Sequence, residues 1–275
     1  MSQSYLAELE LQQSRDFAAS QSQGSRDYQE DQCGFAPFAS RAGLPGLVAI
    51  VADGMGGFED GAQASQVAIE TFGDSFFTVF EETDDTAYSF RAALTAANNA
   101  ITAELALGPE RANGMGTTLV ALAILDGKAS WLSVGDSPLY LFRDESLRKL
   151  NADHSMRSVL SERVEAGEMT AEDAARDPER NALLSALHGD KIPLIDESTE
   201  PLLVESGDLF VIASDGIETL TRDQLTESIA KSAAVPANEL SRLLVGAVLD
   251  CGKERQDNIT ISIIKIPKDE NTSTD

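Results

Sequence analysis

A chain of 275 residues, 42% hydrophobic and 24% charged, has enough apolar content for a sizeable core and does not have a disordered composition. Forty-six acids against 21 bases leave a formal charge of −25; this repels nucleic acid and anionic membrane, and reflects either plain solubility or a preference for basic protein substrates. Apolar runs such as LVAIVA and TTLVALAIL are far shorter than the roughly 18 to 20 residues that cross a bilayer, so no membrane span is expected.

The opening stretch MSQSYLAELELQQS carries acids early and lacks a basic segment followed by an apolar block. It does not read as a secretory signal, so a cytoplasmic location is expected. Residues 1–14 and 268–275 read as polar tails around one domain spanning 15–267. Within it, in chain order, the predicted strands are DFAASQSQ, CGFAPF, GLVAIVAD, GTTLVALAIL, ASWLSVGD, PLYLFR, PLLVES, DLFVIASD and NITISIIKI. Helical patterns cover 61–80, 86–107, 222–232 and 237–249. Consecutive strands joined by the short turns LDGK and RDES favour antiparallel meanders over strict βα alternation. The expected fold is α+β, a sandwich of two antiparallel sheets with helices packed outside. Residues 155–195 form a polar, partly helical insertion broken by Gly167 and Pro178, either a flap over a site or surface decoration.

Several apolar runs end at an aspartate. Asp31 in RDYQED, Asp53 in VADG, Asp136 in SVGDS, Asp215 in SDG and Asp257 in QDNITI each mark a junction between a strand and a turn. One such residue alone is an ordinary turn former. If strand ends bring several together, two carboxylates about 4 Å apart repel by roughly 4 kcal/mol at an effective dielectric of about 20, and the cluster calls for a cation. An all-oxygen donor set selects Mg²⁺ or Mn²⁺ over zinc, and Cys33, Cys251, His154 and His188 form no ligand-spaced group. Both cysteines read as reduced thiols. VADGMGGFEDG has the glycines of a phosphate-cradling turn but no lysine, so it is not a P-loop.

The stretches SRDYQED, VADGMGG, GMGTTLVALAI, SVGDS, NADHS, FVIASDG and DNITI, in that order over about 17–266, resemble the metal-dependent protein phosphatase family, the type 2C serine/threonine phosphatases, in bacterial single-domain form. The resemblance implies a sandwich of two antiparallel sheets flanked by helices on both sides. It also implies hydrolysis of phosphoserine and phosphothreonine on proteins by a water bridging two Mn²⁺ or Mg²⁺ ions, without a phosphoenzyme. By motif match, Asp53 bridges both metals and the Gly54 carbonyl ligates one. Asp215 and Asp257 complete the other shell, with Asp31 or Glu30 contributing directly or through water. Asp136 with Asp215 matches the place of a weaker third metal. Arg26 matches an arginine that grips the substrate phosphate, a surface salt bridge being its alternative; with Asp53, Asp215 and Asp257 it makes up the expected catalytic set.

Thr117 and Thr118 are expected to stabilise their strand. Asn258 either orients Asp257 through its amide or is a plain turn residue, and His154 stands behind the site. Met55 replaces a histidine that some relatives carry and that is suggested to be a general acid, Pro138 replaces a common arginine, and the stretch GEMTAEDAARDPERNALLSAL resembles the family's flap and the segment after it, where Asn181 is a candidate to pin the turn. The implied partners are phosphorylated proteins and a cognate serine/threonine kinase, with no nucleic acid or membrane and the chain acting as a monomer. A non-catalytic relative kept as a binding module would be expected to lose one of the metal acids, and all of them are present.

Overall fold

The computed structural model describes residues 9–56, 59–107 and 114–268, with Glu59 described by its backbone alone. Residues 1–8 and 269–275 of the expected tails, and Gly57 of the glycine turn, lie outside them.

The strands are β1 (Phe17–Ser22), β2 (Asp31–Ala39), β3 (Pro45–Met55), β4 (Gly116–Thr117), β5 (Leu119–Leu125), β6 (Lys128–Val134), β7 (Leu139–Arg143), β8 (Ser146–Lys149), β9 (Asp196–Glu197), β10 (Leu202–Leu203), β11 (Leu209–Ala213) and β12 (Ile259–Lys265). The helices are α1 (Glu59–Thr83), α2 (Thr86–Leu105), α3 (Met156–Glu165), α4 (Ala171–Arg176), α5 (Arg222–Ser232) and α6 (Ala237–Asp250), with a 3₁₀ turn over Asp215–Thr219. One sheet runs β1-β12-β11-β7-β8; the other runs β10-β6-β5-β3-β2, with β4 on the end of β3 and β9 on β6. Their pairings are antiparallel, as expected.

Three apolar layers account for the unbroken hydrophobic runs. Leu47, Ala49 and Val51 of β3, Val120 and Leu122 of β5, and Phe210 and Ile212 of β11 meet between the sheets. The alternate residues Val48 and Ile50, with Leu119, Ala121 and Ala123, face α1 and α2. Val211, Ala213, Ile259, Ile261 and Ile263 on the other sheet face α5 and α6. Strands covered on both faces lose the apolar–polar alternation that marks a half-exposed sheet. In α1 the phenylalanines at 72, 76 and 80 recur every fourth position and are buried, with Phe76 5.2 Å from Phe90 of α2.

Several boundaries differ from the sequence reading. The run GTTLVALAIL splits at Thr118: its N–H donates to the Asp53 carbonyl in the register of the β3 pairing, but the returning Asp53 N–H goes to Thr118 Oγ1 and not to the Thr118 carbonyl. The short strands β8 and β9 were not among the predicted runs. The turns before β6 and β8 are tight hairpins with both central residues left-handed: Asp126 and Gly127 in one, Asp144 and Glu145 in the other.

Candidate metal centre

The antiparallel register of β2 and β3 sets Asp31 directly opposite Asp53. The Asp53 main chain is fixed on all sides. Its N–H donates to Thr118 Oγ1 at 3.0 Å, and its carbonyl accepts from the Thr118 N–H and from Thr117 Oγ1, both at 2.9 Å. The two threonines therefore hold the strand end, as expected, although Thr118 also reaches the cleft wall. Gly54 is required by close approach: a Cβ there would lie 2.2 Å from the Gly61 carbonyl oxygen and 2.5 Å from that of Glu30. A side chain at this position would push the β3 end away from both α1 and the Glu30 main chain.

Adjacent residues Glu30 and Asp31 take different surroundings. Asp31 is buried, and its Oδ2 accepts from Ser214 Oγ at 2.7 Å and Thr260 Oγ1 at 2.8 Å. Glu30 lines the cleft. Its N–H donates to Asn258 Oδ1, and its carbonyl accepts from Gly54 N–H and Ser65 Oγ. The buried Glu30 Oε1 and Asp31 Oδ1 have no hydrogen-bond partner.

Asp215 opens the 3₁₀ turn and not a strand end. The next residue, Gly216, lets this turn lie on the backbone of the 257–258 turn: a Cβ there would come within 2.1 Å of the Asn258 carbonyl oxygen. The Asn258 side chain serves another end than the expected one. Its Nδ2 donates to the Gln23 and Tyr28 carbonyls and its Oδ1 takes the Glu30 N–H, so it ties down the loop that carries Arg26. The Asn258 backbone N–H, not the side-chain amide, is what donates to Asp257 Oδ1, at 2.8 Å. Arg26 Nη2 donates to Asp257 Oδ2 at 2.7 Å, with both side chains open to solvent.

Asp136 follows β6 and is buried. Arg157 Nη2 lies 2.6 Å from its Oδ2, and the same guanidinium pairs with Glu218 and lies 3.9 Å from Asp215 Oδ2. His154 takes the Gly135 N–H on Nδ1, and its own N–H donates to the Gly135 carbonyl, which pins the turn before Asp136. That is the structural position expected of it. Pro138 leaves the ladder intact, since its carbonyl accepts the Ala213 N–H.

Arg26, Glu30, Asp53, Gly54, Asp136, Asp215 and Asp257 line one open cleft of about 530 Å³. Of the expected site residues, Asp31 stands behind this wall. Asn181, Leu183, Ser185 and His188, from the insertion after α4, complete the opposite side together with Met55. Sequence reasoning gave His188 no role and did not single out Arg157 or Glu218. Each belongs to a segment without apolar periodicity, so only the fold reveals where it goes.

The acids raise one another's proton affinity. Burial, then Asp31, Asp215, Asp136 and Asp257, hold the Asp53 carboxyl well above the usual range. Burial lifts Asp31 to about 6 against the pull of the Ser214 and Thr260 hydroxyls. Burial, then Asp136 and Asp257, lift Asp215 to about 7. Burial also raises Glu30 and Asp136, with Arg26 and Arg157 respectively opposing it. Such a cluster binds protons or a cation readily. The orphaned oxygens of Glu30 and Asp31 and the all-oxygen donor set suit a hard divalent ion. Among the described residues, no three acidic, histidine or cysteine side chains are drawn together into a finished metal cage; Asp136 and Asp257 are turned to arginines. Cys33 is half-buried in β2, its thiol pushed up to about 11 by burial, and is chemically quiet; Cys251 is a free, exposed thiol.

Residues 23–245 match the family model described as protein phosphatase 2C. Protein phosphatase PhpP of Streptococcus pneumoniae is 31% identical over 235 residues, covering 85% of this chain and 90% of that protein. The solved structure of the Streptococcus agalactiae serine/threonine phosphatase superposes with a TM-score of 0.74 at 26% identity, over 91% of this chain and 99% of that one. The catalytic domain of the serine/threonine protein phosphatase PstP, solved with two manganese ions, gives a TM-score of 0.69 at 25% identity over 91% and 97% of the two chains. With the sandwich, the strand-end acids and these matches in place, the chain belongs to the protein phosphatase 2C family of metal-dependent hydrolases.

Proposed function

We propose that this chain hydrolyses phosphoserine and phosphothreonine esters on proteins, using two Mn²⁺ or Mg²⁺ ions held in the acidic cleft. One observation carries the reading: the Asp53 carboxyl, at the end of a strand anchored by Thr117 and Thr118, lines one cleft with Glu30, Asp136, Asp215, Asp257 and Arg26 and lies within the electrostatic reach of four other carboxylates. The manganese-bound PstP structure supports the ion pair by likeness.

In this reading Asp53 would hold both ions and the Gly54 carbonyl one of them, while Asp215 and Asp257 would hold the other. Glu30 acts from the cleft side and Asp31 from behind it. When bound, the ions supply an ionised water as nucleophile and charge for the phosphoryl oxygens, so no phosphoenzyme is needed. The protein's own contribution is position. Thr117, Thr118 and Asn258 fix the main chain on which Asp53 and Glu30 sit, so these acids do not have to be reorganised at the moment of reaction.

Arg26 has the planar fork suited to two phosphate oxygens, and its present partner Asp257 is solvent-accessible enough to be exchanged for substrate. Met55 cannot donate a proton to the departing alkoxide. His188, on the same cleft wall, is the side chain we assign to that step. The acidic surface suits basic stretches around the phosphorylated residue. A serine/threonine kinase would supply the substrates. No described helix is long and apolar enough to cross a membrane, and we place the chain in the cytoplasm as a monomer.

The test is turnover of a phosphoserine peptide with Mn²⁺. Activity abolished by EDTA and by Asp53→Ala is expected; no turnover by folded, metal-loaded protein would overturn the enzymatic reading. For the proton step, His188→Ala should slow a phosphoserine peptide by about tenfold or more and leave p-nitrophenyl phosphate, whose leaving group needs no proton, almost unchanged. Equal effects on both substrates would remove His188 from the chemistry.

A further inference from the structure

Arg157 is the second residue of α3, the helix that leads into the 155–195 insertion, and its side chain turns inward to the acids. Nη2 reaches Asp136 Oδ2 at 2.6 Å and lies 3.9 Å from Asp215 Oδ2, while Nη1 pairs with Glu218. The Arg157 side chain is 18% exposed and that of Asp136 only 6%. Nε is buried without a partner, so every hydrogen bond of the guanidinium goes to a carboxylate. Lys149 lies 3.6 Å from Asp153 and 4.0 Å from Glu218 and serves those two acids.

Asp136 and Asp215 are the pair that the family resemblance assigns to a weaker third metal. A guanidinium is charged at every accessible pH and brings its charge on a fixed, planar fork. A divalent ion at Asp136 would have to share the same buried carboxylate and would face a positive charge already bound to it.

We propose that Arg157 is the chain's built-in cation at this place, neutralising Asp136 and Asp215 in lieu of a third divalent ion, so that the centre takes two ions and not three. The inference rests on the two-ion reading of the cleft given above. It also makes the first turn of α3 part of the metal centre, since the residue that satisfies Asp136 is carried by the insertion and not by the sandwich.

Equilibrium dialysis of the full chain against saturating Mn²⁺ tests it. Wild type should bind two ions per chain. Arg157→Ala and Arg157→Met, each checked for a cooperative melt, should gain a weaker third that is lost again when Asp136→Asn is added. Three ions on wild type, or two on both folded variants, would overturn the inference. If neither variant folds, Asp136→Asn in the otherwise wild-type chain decides: an unchanged count of two supports the role of Arg157, and a fall from two to one, which would make Asp136 a holder of one of the two ions, refutes it. No Mn²⁺ binding at all would overturn the two-ion reading itself, a failure distinct from a count of three.

Discussion

Two arginine–aspartate pairs flank the cleft with almost the same geometry and opposite surroundings. Arg26 meets Asp257 at 2.7 Å with side chains 52% and 36% exposed; Arg157 meets Asp136 at 2.6 Å with side chains 18% and 6% exposed. At the rim, water competes for both partners and the pair contributes about 0–1 kcal/mol, so Arg26 can exchange Asp257 for a phosphate at little cost. Inside, removing one partner leaves a desolvated charge, which costs about 3–5 kcal/mol. Burial, not distance, separates the pair that can exchange partners at the rim from the one committed to the scaffold.

The largest effect should follow from breaking the inner pair. Arg157→Ala is expected to lower the stability of the metal-free chain by about 3 kcal/mol, read from urea unfolding, with protonation of Asp136 limiting the loss. A loss below about 1 kcal/mol would make the two pairs equivalent and dissolve the contrast.

Next in size is a pH effect that belongs to the buried acids. Asp31 and Asp215 hold protons up to about 6 and about 7 in the folded chain, whereas an unfolded aspartate releases its proton near 3.9. Between about pH 4 and 7 the folded state therefore binds more protons, and stability falls as pH rises through that window. In EDTA the chain should melt higher at about pH 5 than at about pH 8, by the equivalent of about 1–3 kcal/mol, with saturating Mn²⁺ reducing the difference. A melting temperature in EDTA that is flat or rises with pH would contradict the buried-acid account.

The smallest structural effect should come from the rim. Arg26→Ala is expected to change stability by less than about 1 kcal/mol while raising KM for a phosphopeptide roughly tenfold, with kcat less affected. Destabilisation as large as that of Arg157→Ala, or unchanged kinetics, would show that Arg26 is not the exchangeable arginine.

The layers of the fold were readable because its main strands are buried on both faces. LVAIVA, LVALAIL and LFVIA leave no polar alternation to confuse with surface, and the aspartates that close the runs stand out by contrast. The division at Thr118 was not readable, since it is made by hydrogen bonds to Asp53, a residue 65 positions away. The same limit separates Glu30 from Asp31. Both were candidates from their position, and only the packing of β2 against Ser214 and Thr260 sends Asp31 behind the wall and leaves Glu30 in the cleft. Asn258 was expected to orient Asp257 through its amide or to be a plain turn residue, but its side chain serves partners more than 200 residues earlier in the chain. Arg157 and Glu218 were invisible for a related reason: they meet across 61 residues, from two segments whose polar composition reads as ordinary surface.

The central claim is that the register opposing Asp31 to Asp53 places Asp53 at the heart of a divalent-metal site. Isothermal titration of Mn²⁺ into metal-free wild type and Asp53→Ala, with the melting temperature of each recorded, tests it directly. Binding by wild type, its loss in Asp53→Ala, and a metal-free variant that melts no lower than wild type because one repelling carboxylate is gone, are the predicted results. Undiminished Mn²⁺ binding by folded Asp53→Ala would contradict the account.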